Sequence, residues 1–353
     1  MQNAQTMKNF YDFNLEQMQN ALIFMGEPKY RAKQIYSNFA SGKAISEMTD
    51  IPLTLREKLL ENYCDAPAKI YKKLTSVDGT VKYLFSLADG NIVEGVVMTY
   101  KYGKTQCIST QVGCRMGCKF CASTLNRLIR NLTRGELLFT VALANKDCGG
   151  NLKKREITNI VLMGSGEPLD NYDEVVAFLK ELAKPENLNV SPRNVSLSTC
   201  GIVNRIYDLS KENLPLNLTV SLHATTDEKR KVIMPIANAY SIKDILLACK
   251  HYFSITGRRF IFEYSLVKGV NDSDECAKEL ISLLKGLPCH VNLIRLNEVE
   301  ETGLKRTTDK NAYAFMQKLT DGGLSATVRR LMGSDIEGAC GQLRNKYVGG
   351  NND

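Results

Sequence analysis

From residue 105 onward the chain alternates short β-type runs with helical stretches, and this alternation restricts the fold more than any other feature. The strand-like runs cover residues 106–110, 157–163, 194–199, 217–222, 260–267, 290–296 and 326–330. Between several of them lie helical patterns at 173–184, 242–255, 274–285 and 309–321. Repeated strand–helix–strand units need right-handed crossovers and give a parallel sheet. Six or seven units predict an open or partial (β/α) barrel rather than a closed eight-unit one. Ligand-binding residues then belong just past the C-terminal ends of the strands.

The first hundred residues read differently. Leu15, Met18, Ala21, Leu22 and Met25 fall at helical spacing before Gly26-Glu27-Pro28 breaks the run, and 31–39 and 53–63 continue the helical pattern. Between 70 and 100, Asp78-Gly79 and Asp89-Gly90 separate segments rich in Val, Tyr, Phe and Leu. Asp-Gly is a two-residue hairpin signal, so a small antiparallel unit is expected. The expected organisation is a helical accessory domain over 1–65, an antiparallel β segment over 66–104, the barrel over 105–348 and a frayed tail over 349–353.

Eleven cysteines among 353 residues need an explanation. The N-terminus, MQNAQTMKNF, lacks the basic stretch and apolar core of a secretion signal, and no apolar run approaches the ~18 residues of a membrane span. A cytoplasmic location, away from membranes, is expected, where thiols stay reduced and clustered cysteines suggest a metal or redox site. Cys64, Cys148, Cys200, Cys249, Cys276 and Cys289 are scattered and read as small core residues. Net charge is modest, 46 − 38 = +8, but residues 101–134 hold Lys101, Lys104, Arg115, Lys119, Arg127, Arg130 and Arg134 with no acid. That stretch is either a solvated basic face or a surface for nucleic-acid phosphates.

The clustered cysteines are Cys114, Cys118 and Cys121, spaced C-x3-C-x2-C in CRMGCKFC. Three close thiolates without an obvious fourth point to a [4Fe–4S] cluster with one iron left open; zinc is the rival, although no second knuckle follows. Further along, Gly164-Ser165-Gly166-Glu167-Pro168 follows an apolar run, Ser198 closes LST, Ser221-Leu222-His223 closes VSLH, and Asn297 follows NLIRL. Each could be an ordinary strand-end turn or cap. All lie where a barrel would hold its ligand.

The C-x3-C-x2-C motif resembles that of the radical S-adenosylmethionine (SAM) superfamily. The resemblance implies one [4Fe–4S] cluster per chain on Cys114, Cys118 and Cys121, with SAM on the open iron. It further implies SAM contacts from Phe120, Gly166, Glu167, Ser198, Ser221, Leu222, His223 and Asn297. The ordered set CRMGCKFCAS, GSGEPL, LSTCG, SLHA, KGVND, VNLIRLN and GACGQL, with YRAKQI near the N-terminus, is similar to the RNA adenine C2-methyltransferases of RlmN type, over nearly the whole chain. The implied fold is α/β, a partial (β/α)6-type radical SAM barrel with a small N-terminal helical domain and a short antiparallel β segment.

That resemblance implies substrates and roles. The substrates would be adenosine 2503 of 23S rRNA and adenosine 37 of some tRNAs, with two SAM molecules consumed per turnover. An electron donor such as flavodoxin or ferredoxin, and a monomeric state, are expected. Cys340, in GACGQL, would carry a methyl group taken from the first SAM, and a radical from the second would activate it for addition to the adenine ring. Cys107 would attack Cys340 to release the product; Lys104, Arg115 or the cluster loop could favour its thiolate. Glu94 matches a proton-acceptor position, though by itself it reads as an exposed strand carboxylate. Arg295, in NLIRLN, departs from the NLIP of most RlmN-type sequences and looks like the related Cfr type, which methylates C8 of the same adenine. Other classes compatible with the motif alone are a radical SAM enzyme acting on a small molecule or peptide, and a non-enzymatic iron–sulfur RNA-binding protein; neither needs the Cys107–Cys340 pair.

Overall fold

The computed structural model describes residues 8–125, 127–298, 300–339, 341 and 342. Three helices open it: α1 (Leu15–Phe24), α2 (Arg31–Ala40) and α3 (Leu53–Asn62). The start of α1 is fixed by a reciprocal capping box between Asn14 and Gln17. These helices share one hydrophobic core with the rest of the chain. Tyr11 packs on Phe39 at 3.9 Å between ring centroids and on Phe139 at 5.2 Å. Tyr36 Oη donates to Glu181 Oε2 at 2.6 Å.

A single ten-stranded sheet follows. Strands β1 (Ala68–Thr75), β2 (Val81–Leu87), β3 (Ile92–Tyr100) and β4 (Gly103–Ile108) form an antiparallel meander. The Asp-Gly pairs do turn the chain, but inside longer loops, 76–80 and 88–91, rather than as two-residue turns. Gly79 and Gly90 each take a left-handed φ of +83° there, a conformation that glycine adopts without a Cβ clash. The antiparallel strands continue the main sheet, since β4 pairs in parallel with β7 (Ile157–Leu162).

From β7 the sheet runs in parallel through β8 (Val195–Thr199), β9 (Asn217–Ser221), β10 (Phe260–Leu266), β11 (Cys289–Arg295) and β12 (Ala326–Val328). The crossovers carry α4 (Arg134–Asp147), α5 (Tyr172–Leu182), α6 (Val203–Ser210), α7 (Asp227–Ile233), α8 (Ile242–Thr256), α9 (Asp274–Leu284) and α10 (Asp309–Asp321). With β1 and β12 at its two edges the barrel stays open. Strand β10 lies inside the sheet: Phe260, Phe262, Tyr264 and Leu266 are fully buried, and the near-continuous burial of FIFEYSL is that of a strand covered on both faces.

The remaining strands, β5 (Gln111–Val112) and β6 (Arg130–Asn131), pair only with each other. They close the base of the loop that carries Cys114, Cys118 and Cys121. Among the described residues no helix is long and apolar enough to cross a membrane.

Candidate active site

The cysteine loop is pinned along its length. Lys119 N–H donates to the Ile233 carbonyl at 2.9 Å, Ala122 N–H donates to the Gly341 carbonyl at 2.8 Å, and Thr124 Oγ1 donates to the Cys121 carbonyl at 2.9 Å. Cys114 and Cys118 are buried and Cys121 is half-buried. All three line a cavity of about 150 Å³ at the C-terminal ends of the parallel strands. Burial pushes the Cys114 thiol up to about 12 and also raises that of Cys118, so thiolates here need a bound cation to be stable. Among the described residues no three His, Cys, Asp or Glu side chains converge closely enough for a single metal ion. Three thiols around one cavity are a donor set that fits a multi-iron cluster, in which each thiolate would hold a different iron.

The Gly-Ser-Gly-Glu-Pro turn forms the next wall. A Cβ on Gly164 would stand 2.6 Å from the Ile108 carbonyl oxygen, and one on Gly166, at φ +104°, would stand 2.6 Å from Gln111 Cβ. Both positions therefore require glycine, and the turn lies directly against the chain entering the cysteine loop. Thr110 N–H and Gln111 N–H donate to the Ser165 carbonyl at 2.8 and 3.2 Å. Glu167, buried in the wall, accepts from Leu169 N–H at 2.9 Å and from Cys200 N–H at 2.6 Å. Burial raises its carboxyl pKa, and these two amides oppose the rise.

Phe120, Gly166, Glu167, Ser198, Ser221, His223 and Asn297 all line the same cavity as the three cysteines. Leu222 is not among the lining residues: its side chain is in the core, and its carbonyl accepts from Arg230 Nε at 3.2 Å. His223 has a left-handed φ of +55°. Its Nδ1 accepts from Ser265 N–H at 2.9 Å, so Nε2 carries the proton. The Phe120 ring meets the imidazole edge-on at 4.6 Å.

Four further residues belong to this site. Cys200, expected as a scattered core cysteine, lines the cavity and donates its N–H to Glu167. Arg230 is fully buried; its Nη2 donates to the carbonyls of Cys200 at 2.6 Å and Ser221 at 3.0 Å, tying together the ends of β8 and β9. It sits in the charged run DEKRK, which offers no signal for such a role. Glu263 and Arg329 line the cavity with Nη1 and Oε2 3.5 Å apart. Glu263 was legible in principle, as the one charged residue inside an apolar strand.

Cys107, on β4 and buried, opens into a second, smaller cavity of about 40 Å³. The two cavities share Met163, Ile294, Asn297 and Arg329 as lining residues. The cations that line the same cavity as Cys107 are Arg295, Arg329 and Arg330, not Lys104 or Arg115. Lys104 pairs with Glu156 at 3.0 Å and, three residues from Cys107 on a strand, faces the other side of the sheet; Arg115 pairs with Asp170. Arg295 donates to Asp309 Oδ2 at 3.0 Å and to the Arg329 carbonyl at 3.2 Å.

Glu94, on β3, is buried rather than exposed, and its Oε1 lies 2.9 Å from Lys82 Nζ. It lines neither of these cavities. Cys340 lies outside the described residues; its neighbours Ala339 and Gly341 line the second and first cavity respectively. In the basic stretch, Arg130 is engaged by Asp89 at 2.6 Å and Glu136 at 2.7 Å, while Lys101, Lys119 and Arg127 are exposed.

Comparison with known proteins agrees with this geometry. Residues 108–281 match a family model described as the radical SAM superfamily, and residues 8–64 match one described as the ribosomal RNA large subunit methyltransferase N-terminal domain. A Clostridium perfringens protein named "Probable dual-specificity RNA methyltransferase RlmN" is 51% identical over 345 residues, 97% of this chain and 98% of the relative. A protein of the same name from Clostridium novyi is 48% identical over 98% of this chain and 100% of the relative. The crystal structure of a radical SAM methyltransferase from Sphaerobacter thermophilus superposes with a TM-score of 0.91 at 40% identity, covering 96% of this chain and 99% of that one.

Proposed function

This chain belongs to the RlmN-type radical SAM RNA methyltransferases, and from that premise we propose that it methylates C2 of adenosine 2503 in 23S rRNA and of adenosine 37 in some tRNAs. The observation that carries the reading is the pair of adjoining cavities, one lined by three cysteines and the strand-end residues, the other by Cys107. An enzyme that needs two chemically distinct cysteine sets within reach of one substrate would be built this way.

A [4Fe–4S] cluster on Cys114, Cys118 and Cys121, one per chain, would supply an open iron for SAM and the electron that cleaves it. The protein's own groups do the rest. Glu167 and the strand-end residues Ser198, Ser221 and Asn297 orient SAM, and neutral His223 offers an Nε2–H donor. Cys340 carries the methyl group, which lets an aromatic C–H carbon without a lone pair be alkylated in separate steps. After the adduct has given up one electron and the ring C–H proton, Cys107 attacks the Cys340 sulfur: a disulfide forms, the carbon–sulfur bond breaks, and the departing carbon takes up a proton to become the methyl group of the released base. Arg295, Arg329 and Arg330 line the same cavity as Cys107. Two SAM molecules are used per turnover, with a flavodoxin- or ferredoxin-type donor, by a monomer in the cytoplasm. The adenine must be unstacked to reach the site, and Lys101, Lys119 and Arg127 are available to its flanking phosphates.

A second reading, methylation at C8, rests on Arg295 lining the Cys107 cavity at the position where most C2 enzymes have proline. One experiment separates the two. Nuclease-digested 23S rRNA and tRNA from a strain lacking the gene are compared by mass spectrometry with those after complementation. Return of 2-methyladenosine supports the C2 reading and return of 8-methyladenosine the C8 reading; the return of neither refutes both.

A further inference from the structure

Two segments far apart in sequence meet at the tip of the β1–β2 hairpin. Ser76 Oγ donates to Asp335 Oδ1 at 2.5 Å, and Val77 N–H donates to Asp335 Oδ2 at 3.2 Å. In the other direction, Gly333 N–H donates to Asp78 Oδ2 at 2.9 Å. Slightly further along, Lys82 Nζ donates to the Glu337 carbonyl at 3.1 Å while Glu94 holds the same ammonium at 2.9 Å. Each of the four bonds between the two segments has one charged partner, which makes it stronger than a neutral one.

Both sides are shaped for the contact. Asp78 Oδ1 accepts from Thr80 N–H at 2.9 Å, which orients the carboxylate. Gly333 and Glu337 adopt left-handed φ angles of +63° and +50°, and a Cβ on Gly333 would press on Thr80 Cγ2 at 2.9 Å. Lys82 and Glu94 have side chains only 5% exposed, so this ammonium is not a solvated surface charge that happens to lie nearby.

The segment held this way leads straight to Cys340, three residues beyond Glu337. On the near side of that cysteine Ala339 lines the Cys107 cavity; on the far side Gly341 lines the cluster cavity and is tied to Ala122. We propose that the β1–β2 hairpin tip is a clasp that sets the position of the Cys340 segment, with Asp335 and Lys82 as its positioning residues. The proposal rests on the reading of Cys340 as the methyl carrier. A carrier that must meet SAM, then the adenine, then Cys107 gains rate from each restriction of its freedom. Three residues span at most ~11 Å, so an anchor at Glu337 limits the reach of the chain that leads to Cys340. Glu94 acts here through Lys82.

The test uses full-length, anaerobically reconstituted enzyme with Asp335→Ala, Lys82→Met and the conservative Lys82→Arg. Hydrogen exchange is followed in peptides covering 76–82 and 333–339, and Cys340 methylation is followed with methyl-labelled SAM in the absence of RNA. Asp335→Ala should speed exchange at least tenfold in both peptides, with exchange in β10 and SAM affinity unchanged. Methyl loading should fall at least tenfold in Asp335→Ala and Lys82→Met and recover in Lys82→Arg. Native exchange in both peptides of Asp335→Ala overturns the clasp; faster exchange with native loading overturns its positioning role. If the native enzyme never loads Cys340, the carrier reading fails and with it the positioning role, while the exchange data still decide whether the two segments are clasped.

Discussion

The imidazole of His223 accepts a hydrogen bond from the backbone N–H of Ser265, Nδ1 to N, at 2.9 Å. One bond therefore fixes the tautomer of a ring that lines the cluster cavity and ties the turn after β9 to strand β10.

Burial first, and the buried guanidinium of Arg230 second, hold the His223 pKa down at about 3. The ring is neutral throughout the working pH range, so SAM affinity should show no step between pH 5.5 and 7.5 that His223→Asn removes. Asparagine also tolerates the left-handed backbone, so His223→Asn should cost less unfolding free energy than His223→Val, by about 1 kcal/mol or more. A SAM titration with an inflection near pH 6.5 that disappears in the asparagine variant would contradict the assignment.

Gly164 faces a backbone carbonyl that cannot yield. Gly164→Ala should lower stability by about 1–3 kcal/mol and weaken SAM binding at least tenfold by displacing the Glu167 turn. Urea unfolding and calorimetric titration of the reconstituted enzyme measure the two effects. Unchanged SAM affinity would mean that the turn does not grip the cofactor.

Cys107→Ala should keep its cluster, load methyl on Cys340 and form the bond to adenine, then stall with protein attached to RNA. On a denaturing gel, labelled RNA should appear as a slow, nuclease-sensitive band that requires both SAM and Cys340. A cysteine that only packs in the strand would instead leave turnover intact, with at most a few kcal/mol of lost stability. Free methylated RNA without the band would reduce Cys107 to that role.

Asp12 accepts from Gly135 N–H at 3.1 Å at the start of α4, and burial pushes its carboxyl from 3.8 to about 6. The fold prefers the protonated form. The stability it lends is complete below pH 3.8 and fades as pH rises through about 6. Asp12→Asn should therefore exceed the native chain by about 1–2 kcal/mol at pH 7.5, with the gap closing toward pH 4. Denaturant midpoints at the two pH values check the sign; a gap that widens in acid would reverse it.

The strands of the barrel were legible because each is a short apolar run bounded by polar turns, and β7 to β12 lie within a few residues of where their runs suggest. Helix α4 was not, because Leu137, Leu138, Phe139, Val141, Ala142 and Ala144 are buried around most of its circumference, which erases the amphipathic period that marks α5 or α8. Helices α6 and α7, at eight and seven residues, are too short to show one. The site divides in the same way. Cys114, Glu167 and His223 stand in local motifs at strand ends, as does Cys200 in LSTCG, whereas Arg230 becomes a site residue only through tertiary closure of β8, β9 and α7. For Cys107 the expected cations were neighbours in sequence; those that line its cavity come from β11 and the segment after β12.

The pairing of β5 with β6 closes the cysteine loop at its base, and its further anchors, Ile233 and Gly341, are also supplied by protein backbone. None of these bonds uses iron. The polypeptide backbone by itself therefore supplies the frame of the cysteine loop at its base and at two points along its length. Two strands of two residues each thus turn a seventeen-residue excursion, 113–129, into a closed loop whose ends cannot part without breaking sheet hydrogen bonds.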